Sequence, residues 1–180
     1  MKNRLVDQAR REYSPNQRIG FLLLIAPIFL LGLPYLFVSL GTKVDRWLGW
    51  PPILDQPWNL VLGVLMALSG WLLAMWTMNA QFNIGRGTPV PLMATQKLIV
   101  QPPFTYCRNP MTLGTLIAYL GVAVLFHSLG AGLLVLIFVG LLLIYIKRVE
   151  EKELALRFGQ EYLEYQRRTP FLLPRFRTRA

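Results

Sequence analysis

Three blocks of the chain carry no charge: Ile19 to Leu40, Trp58 to Ile84 and Met111 to Ile146. The segments around them are polar, turn-rich or basic. A helix needs about 20 apolar residues to cross a hydrocarbon core about 30 Å thick. Lipid offers an open backbone no hydrogen-bond partner, so such runs must cross as helix. The third block suffices for two short spans, and His127-Ser128 followed by Gly130 and Gly132 marks the break. The pattern therefore predicts four membrane helices, at 19–41, 58–80, 111–127 and 129–147. Pro27 and Pro34 fall inside the first and should bend it, because each removes a backbone donor. The third is short and must tilt less than its neighbours or borrow length from the residues before it.

The intervening segments differ in kind. Residues 1–18 are polar, and Lys2, Arg4, Arg10 and Arg11 suit either a short surface helix or a solvated tail. The loop 42–57 holds Trp47 and Trp50 with Pro51-Pro52 and leads to Trp58. Tryptophans of this kind form a belt at the membrane surface. In the segment 81–110, Gly85-Arg86-Gly87-Thr88-Pro89-Val90-Pro91 cannot be regular helix. Leu98-Ile99-Val100 is too short to span, and Gln101-Pro102-Pro103 breaks it again, so the segment reads as a folded loop. Gly85-Arg86-Gly87 lacks the glycine and lysine spacing of a phosphate loop.

Beyond the last span, Leu154, Phe158, Tyr162 and Tyr165 share one helical face. Glu153, Arg157, Gln160, Glu161, Glu164 and Arg168 fall on the other, with Glu164 and Arg168 spaced as an i, i+4 pair. The pattern predicts one amphipathic helix ending at Pro170. Continued backwards, it sets Glu151 near the centre of the apolar face and Glu150 on its edge. Burying an unpaired carboxylate is costly. Glu151 should therefore meet Arg108, a backbone donor or a ligand.

Charge orients the spans. Lys and Arg number five before the first span, two in 42–57, three in 81–110, none in the hairpin turn and nine after Ile146. The positive-inside rule then sets both termini and the 81–110 segment in the cytoplasm. The net charge of +10 is this bias together with attraction to anionic headgroups. The basic residues are dispersed along membrane-flanking segments, which speaks against nucleic acid as a partner. The first apolar run is longer than a signal h-region and follows eighteen polar residues, so no cleaved signal peptide is expected. Cys107 and His127 are the only cysteine and histidine, so neither an intramolecular disulfide nor a Cys/His metal site is expected. The chain divides into 1–80, a basic tail with two spans, and 81–180, a hairpin core with its flanking polar segments.

Two polar clusters flank that hairpin: Tyr106-Cys107-Arg108-Asn109-Pro110 before it and Arg148-Val149-Glu150-Glu151 after it. Arg108 suits an interfacial anchor whose head reaches water, and equally a ligand site. Pro110 suits the first turn of a helix, and Asn109 can cap it. Free N–H groups there can hold a carboxylate. Glu150 and Glu151 can accept from hydroxyl or ammonium groups, and Phe104 and Tyr106 can stack on a flat ring. No nucleophile–base set is evident, and His127 reads as a hairpin residue on the opposite face. A reaction whose difficult chemistry is carried by a cofactor fits better.

From Leu98 to Pro174 the chain resembles the membrane family of isoprenylcysteine carboxyl methyltransferases and phospholipid methyltransferases. The residues that carry the likeness are Pro102-Pro103-Phe104, Arg108-Asn109-Pro110-Met111-Thr112, Glu150-Glu151 and Phe158-Gly159-Gln160-Glu161-Tyr162-Leu163-Glu164-Tyr165. Gly87 to Pro91 also looks like a stretch of bacterial members. The resemblance implies an integral protein of the bacterial inner membrane. It implies S-adenosylmethionine bound on the cytoplasmic side and a lipophilic acceptor arriving from the bilayer, with no metal.

Carried over by position, cofactor contacts fall on Gln96, Lys97, Leu98, Ile99, Phe104, Asn109, Pro110, Met111, Thr112 and Glu150. The family's substrate-binding arginine is not matched in register, and Arg148 and Lys147 stand nearest to it. Arg108 or Arg148 would hold a carboxylate acceptor, and Glu151 would take the proton of an amine acceptor. Phe104 and Thr112 stand where the family has tyrosines, and Pro102 replaces a glycine. A nicotinamide-dependent reductase of the sterol-reductase type and a non-catalytic membrane scaffold are the alternatives.

Overall fold

A computed structural model describes residues 13–88 and 94–174, and among these the regular elements are all helical. Helix α1 (Pro15–Pro27) runs through a π-helical turn (Ile28–Gly32) into α2 (Leu33–Leu48). Helix α3 is Trp58–Asn83, α4 is Pro110–Leu125 and α5 is Leu129–Tyr145. A second π-helical turn (Ile146–Glu150) leads into α6 (Glu151–Phe158), and α7 is Gln160–Arg168. The stretches Pro15–Leu48, Trp58–Asn83 and Leu129–Phe158 are long and apolar enough to cross a membrane, while Pro110–Leu125 is apolar but shorter. The all-helical membrane architecture is thus as the charge-free blocks predict. The surface helix considered for Lys2 to Arg11, and Pro89 to Pro91 of the turn-rich stretch, lie outside the described residues.

Two expectations need correction. The segment 42–57 is not all loop, because α2 continues to Leu48 and ends at Gly49, whose φ of 63° suits glycine. The C-terminal amphipathic helix is not continuous either. Gly159, at φ 56° and ψ −129°, separates α6 from α7. The ion pair on its polar face is Glu153–Arg157, at 3.2 Å, and Glu164 and Arg168 are both exposed.

The chain forms two units interleaved in sequence. One comprises Phe21–Leu73 and Gly114–Leu142. Its first helix shows how proline is accommodated without water. The Leu33 N–H reaches back to the Ile28 carbonyl, and Pro34 has no N–H to offer Phe29. The Tyr119 hydroxyl donates to that freed Phe29 carbonyl at 2.5 Å. Small residues bring α3 and α4 together. A Cβ on Gly121 would lie 2.8 Å from the Gly63 carbonyl oxygen, and one on Gly70 would lie 2.5 Å from that of Gly114. Such close backbone approach is how helices associate where lipid supplies no hydrophobic drive.

The turn before α5 is held by side chains of α2 and α3. The Ser128 hydroxyl accepts from the Ala131 N–H at 2.9 Å as an N-cap. The Asp45 carboxylate accepts from that hydroxyl at 2.5 Å and from the Gly130 N–H at 2.6 Å, at the positive end of α5. His127, at φ 55°, bonds the Leu54 carbonyl through Nδ1 and the Asn59 amide through Nε2, each at 2.7 Å. These partners require a proton on Nδ1, and they give the lone histidine a structural task.

The other unit comprises Met1–Gly20, Ala74–Leu113 and Leu143–Ala180. It contains both polar clusters.

Gly121→Ala should lower the melting temperature in detergent, since a forced overlap with backbone costs about 1–3 kcal/mol. A Cβ on Gly140 meets nothing within 4 Å, so Gly140→Ala should melt at or slightly above wild type. Equal melting of the two variants would contradict the close approach of α3 and α4.

Candidate active site

The centre of this unit is an ion pair between Arg108, just before α4, and Glu151, the first residue of α6. Their side chains are 13% and 9% exposed, so each charge depends on the other. The second carboxylate oxygen of Glu151 accepts from the Gln166 amide of α7 at 3.0 Å. The C-terminal segment closes over the arginine. The Arg108 N–H donates to the Pro170 carbonyl at 2.9 Å, and the guanidinium lies 5.4 Å from the centre of the Phe171 ring. The Asn109 amide nitrogen donates to the Phe171 carbonyl at 2.8 Å. Asn109 therefore ties the C-terminal segment to the start of α4, where the sequence suggested a helix cap.

Beside the pair lies a cavity of about 70 Å³. The loop before α4 contributes Thr95, Leu98, Ile99, Phe104, Arg108 and Asn109, and α3 contributes Gln81. Ile146, Glu150, Glu151, Leu154, Tyr162 and Tyr165 complete it from the C-terminal helices. Glu150 ends the second π-helical turn, a helical irregularity common at functional sites. Burial, with help from Glu153 and Glu151, pushes its carboxyl up to about 7. The Gln81 side-chain oxygen is buried without a hydrogen-bond partner.

Neighbouring interactions fix the walls. The Arg157 guanidinium donates to the Thr95 carbonyl at 2.5 Å while paired with Glu153. The Gln96 and Lys97 N–H groups both donate to the Gly85 carbonyl. The Tyr165 hydroxyl donates to the Phe104 carbonyl at 2.8 Å. Burial raises the hydroxyls of Tyr162 and Tyr165, with Arg108 opposing in both cases. Burial also raises the thiol of Cys107, which leaves it a poor nucleophile.

The residues singled out in the sequence separate into two groups. Leu98, Ile99, Phe104, Arg108, Asn109, Glu150 and Glu151 line the cavity. Pro110 and Thr112 are buried in the first turn of α4 with Met111 between them, outside the lining. Lys97 and Arg148 are exposed and do not line it, and Gln96 lines a different cavity. Gln81 and Thr95 were not anticipated as cavity residues, nor Gln166 and Phe171 as partners of the ion pair. Gln81 offered one signal, as a polar residue near the end of a charge-free block.

Comparison with known proteins gives the family. A family model described as phospholipid methyltransferase matches residues 58–161, more than half of the chain. The chain belongs to that family. It is also similar to the protein-S-isoprenylcysteine O-methyltransferases of Rattus norvegicus and Homo sapiens, at 29% and 30% identity over 130 residues. These matches cover 69% of this chain and 44% of each relative, so the chain spans less than half the length of the curated relatives it matches.

Between pH 4.5 and 7 the folded protein retains a proton on Glu150 that the unfolded chain has largely released. Stability should therefore fall as pH rises through that window. Glu150→Gln removes the effect and should melt above wild type at pH 8 but close to it at pH 5. A wild type whose lead over the variant grows with pH would contradict the desolvated carboxyl.

Proposed function

We propose that the protein transfers a methyl group from S-adenosylmethionine to a lipophilic acceptor that reaches it from the bilayer, with the site on the cytoplasmic face. The observation that carries this reading is Glu150. It is a carboxylate with a raised pKa on a cavity that also gathers Leu98, Ile99, Phe104 and Asn109, all residues the family resemblance assigns to the cofactor. The donor set suits that molecule. Its sulfonium and ammonium charges favour an ionised Glu150, and its hydroxyl and amino donors suit the orphaned Gln81 oxygen. Phe104 offers a ring face for a purine. At about 70 Å³ the cavity is smaller than ordinary ligand pockets of about 300–1,000 Å³, so binding must move its walls apart.

Bound there, S-adenosylmethionine would supply an activated methyl for the acceptor's lone pair, its sulfonium sulfur being released as a thioether. The chain's part is to align the partners and exclude water, and positioning alone can supply about 7–11 kcal/mol of the barrier. Arg108 and Glu151, read from the sequence as reacting groups, here act better as the positioning pair, since both carboxylate oxygens of Glu151 are engaged. Glu150 is then the carboxylate left to accept a proton, should the acceptor be an amine. The exposed Arg148 remains the cation for an acidic acceptor. The names of the relatives and of the family support an acceptor bearing a lipid chain. The count of basic residues in each connecting segment supports four spans with both termini in the cytoplasm.

Glu150→Gln should weaken S-adenosylmethionine binding at least about tenfold, as expected for a lost charged partner, while the variant remains folded. Calorimetric titration of the detergent-solubilised protein checks this. Unchanged affinity would remove Glu150 from the cofactor site. Labelled cofactor incubated with a native lipid extract, followed by mass spectrometry, identifies the acceptor.

A further inference from the structure

A second cavity, of about 490 Å³, lies in the same unit and shares no residue with the first. Tyr13, Ser14, Pro15, Arg18, Arg86 and Gln96 line it. Among these described residues are two arginines and no carboxylate. Arg18 is only 7% exposed. Its Nη1 donates to the Phe82 carbonyl at 2.9 Å and its guanidinium lies 4.5 Å from the centre of the Phe82 ring. Its Nε is buried with no hydrogen-bond partner.

The backbone adds to the positive potential. Ser14 caps α1: its hydroxyl accepts from the Gln17 N–H at 3.3 Å, and the Gln17 side chain accepts from the Ser14 N–H at 3.0 Å. The cavity therefore also faces the positive end of α1. A buried guanidinium in the first turn of a helix opposes that dipole, and Arg86 lines the same cavity. An anion there offsets the opposition to the dipole and meets both cations. Arg86 is held at φ 54°, a conformation that glycine adopts more readily.

We propose that this cavity binds the phosphate of an anionic phospholipid headgroup, at a site separate from the methyl-transfer cavity. The forked N–H groups of arginine match phosphate oxygens. The depth favours a lipid source, because Arg18 immediately precedes the charge-free run that begins at Ile19. Basic pockets at the ends of membrane helices hold anionic headgroups in this way. The inference rests on α1 entering the bilayer and not on methyl transfer.

The test titrates the detergent-solubilised full chain with dihexanoyl phosphatidylglycerol, dihexanoyl phosphatidylcholine and inorganic phosphate in separate calorimetric runs. S-adenosylmethionine affinity is measured in parallel. Arg86→Gly removes one cation while relaxing the backbone, so folding is preserved; Arg18→Gln removes the other. The phosphatidylglycerol site should weaken about tenfold in Arg86→Gly, the effect of one charged hydrogen-bond partner, with cofactor affinity unchanged. Arg18→Gln should weaken it at least as much. Equal phosphatidylglycerol affinity in wild type and Arg86→Gly would overturn the site. Equal binding of phosphatidylcholine would show that charge does not select the ligand and would also overturn it. Inorganic phosphate binding as tightly as phosphatidylglycerol would overturn the lipid source. Loss of cofactor binding with lipid binding intact would count against the methyltransferase reading alone.

Discussion

A buried guanidinium and a buried carboxylate hold the candidate active site together. Removing either Arg108 or Glu151 would leave the other charge buried without its partner, which is costly. The pair joins the loop that leads into α4 to the residue that opens α6. Gln166 on the carboxylate, with Phe171 and Pro170 on the arginine, extend the same clasp to the C-terminal segment. Glu150 is held by its neighbour. With Glu151 turned into the clasp, Glu150 at the end of the π-helical turn borders the cavity. Its raised carboxyl follows from that burial. A group destabilised in the free protein and relieved by a cationic ligand is a stability–function trade-off common at binding sites.

The cost of leaving a polar group unpaired away from water also accounts for the side-chain bonds of the unit formed by Phe21–Leu73 and Gly114–Leu142. Tyr119 serves a carbonyl that Pro34 leaves without a donor. Asp45 and Ser128 serve the start of α5, and Asn59 serves His127 and the Leu125 carbonyl. Each polar side chain sits where the helical ladder fails: at a proline, a helix start or a tight turn.

The sequence made the helices legible because charge-free blocks of that length have one solution in lipid. Glu151 was legible for a related reason: a carboxylate in phase with Leu154, Tyr162 and Tyr165 needs a partner, and Arg108 was one of the three that the sequence left open, beside a backbone donor and a ligand. Other features depend on where backbones meet, which periodicity does not carry. The spacing of Gly63, Gly70, Gly114 and Gly121 gains meaning only once α3 and α4 pack. The break at Gly159 was hidden because the apolar positions on both sides keep one helical phase. Arg157 looked like a solvated charge, yet it holds Thr95. Family position carried Lys97 and Arg148 towards the site, whereas their side chains are exposed.

If the clasp builds the cofactor cavity, damage to either partner is the same damage. The direct measurement is the S-adenosylmethionine dissociation constant of wild type, Arg108→Met, Glu151→Gln and the double variant in one detergent. Each single change should weaken binding by about tenfold or more, as for the loss of a charged hydrogen-bond partner. The double variant should bind no worse than the weaker single one, because the clasp is broken once. Multiplying effects, or full affinity in Arg108→Met, would contradict the account.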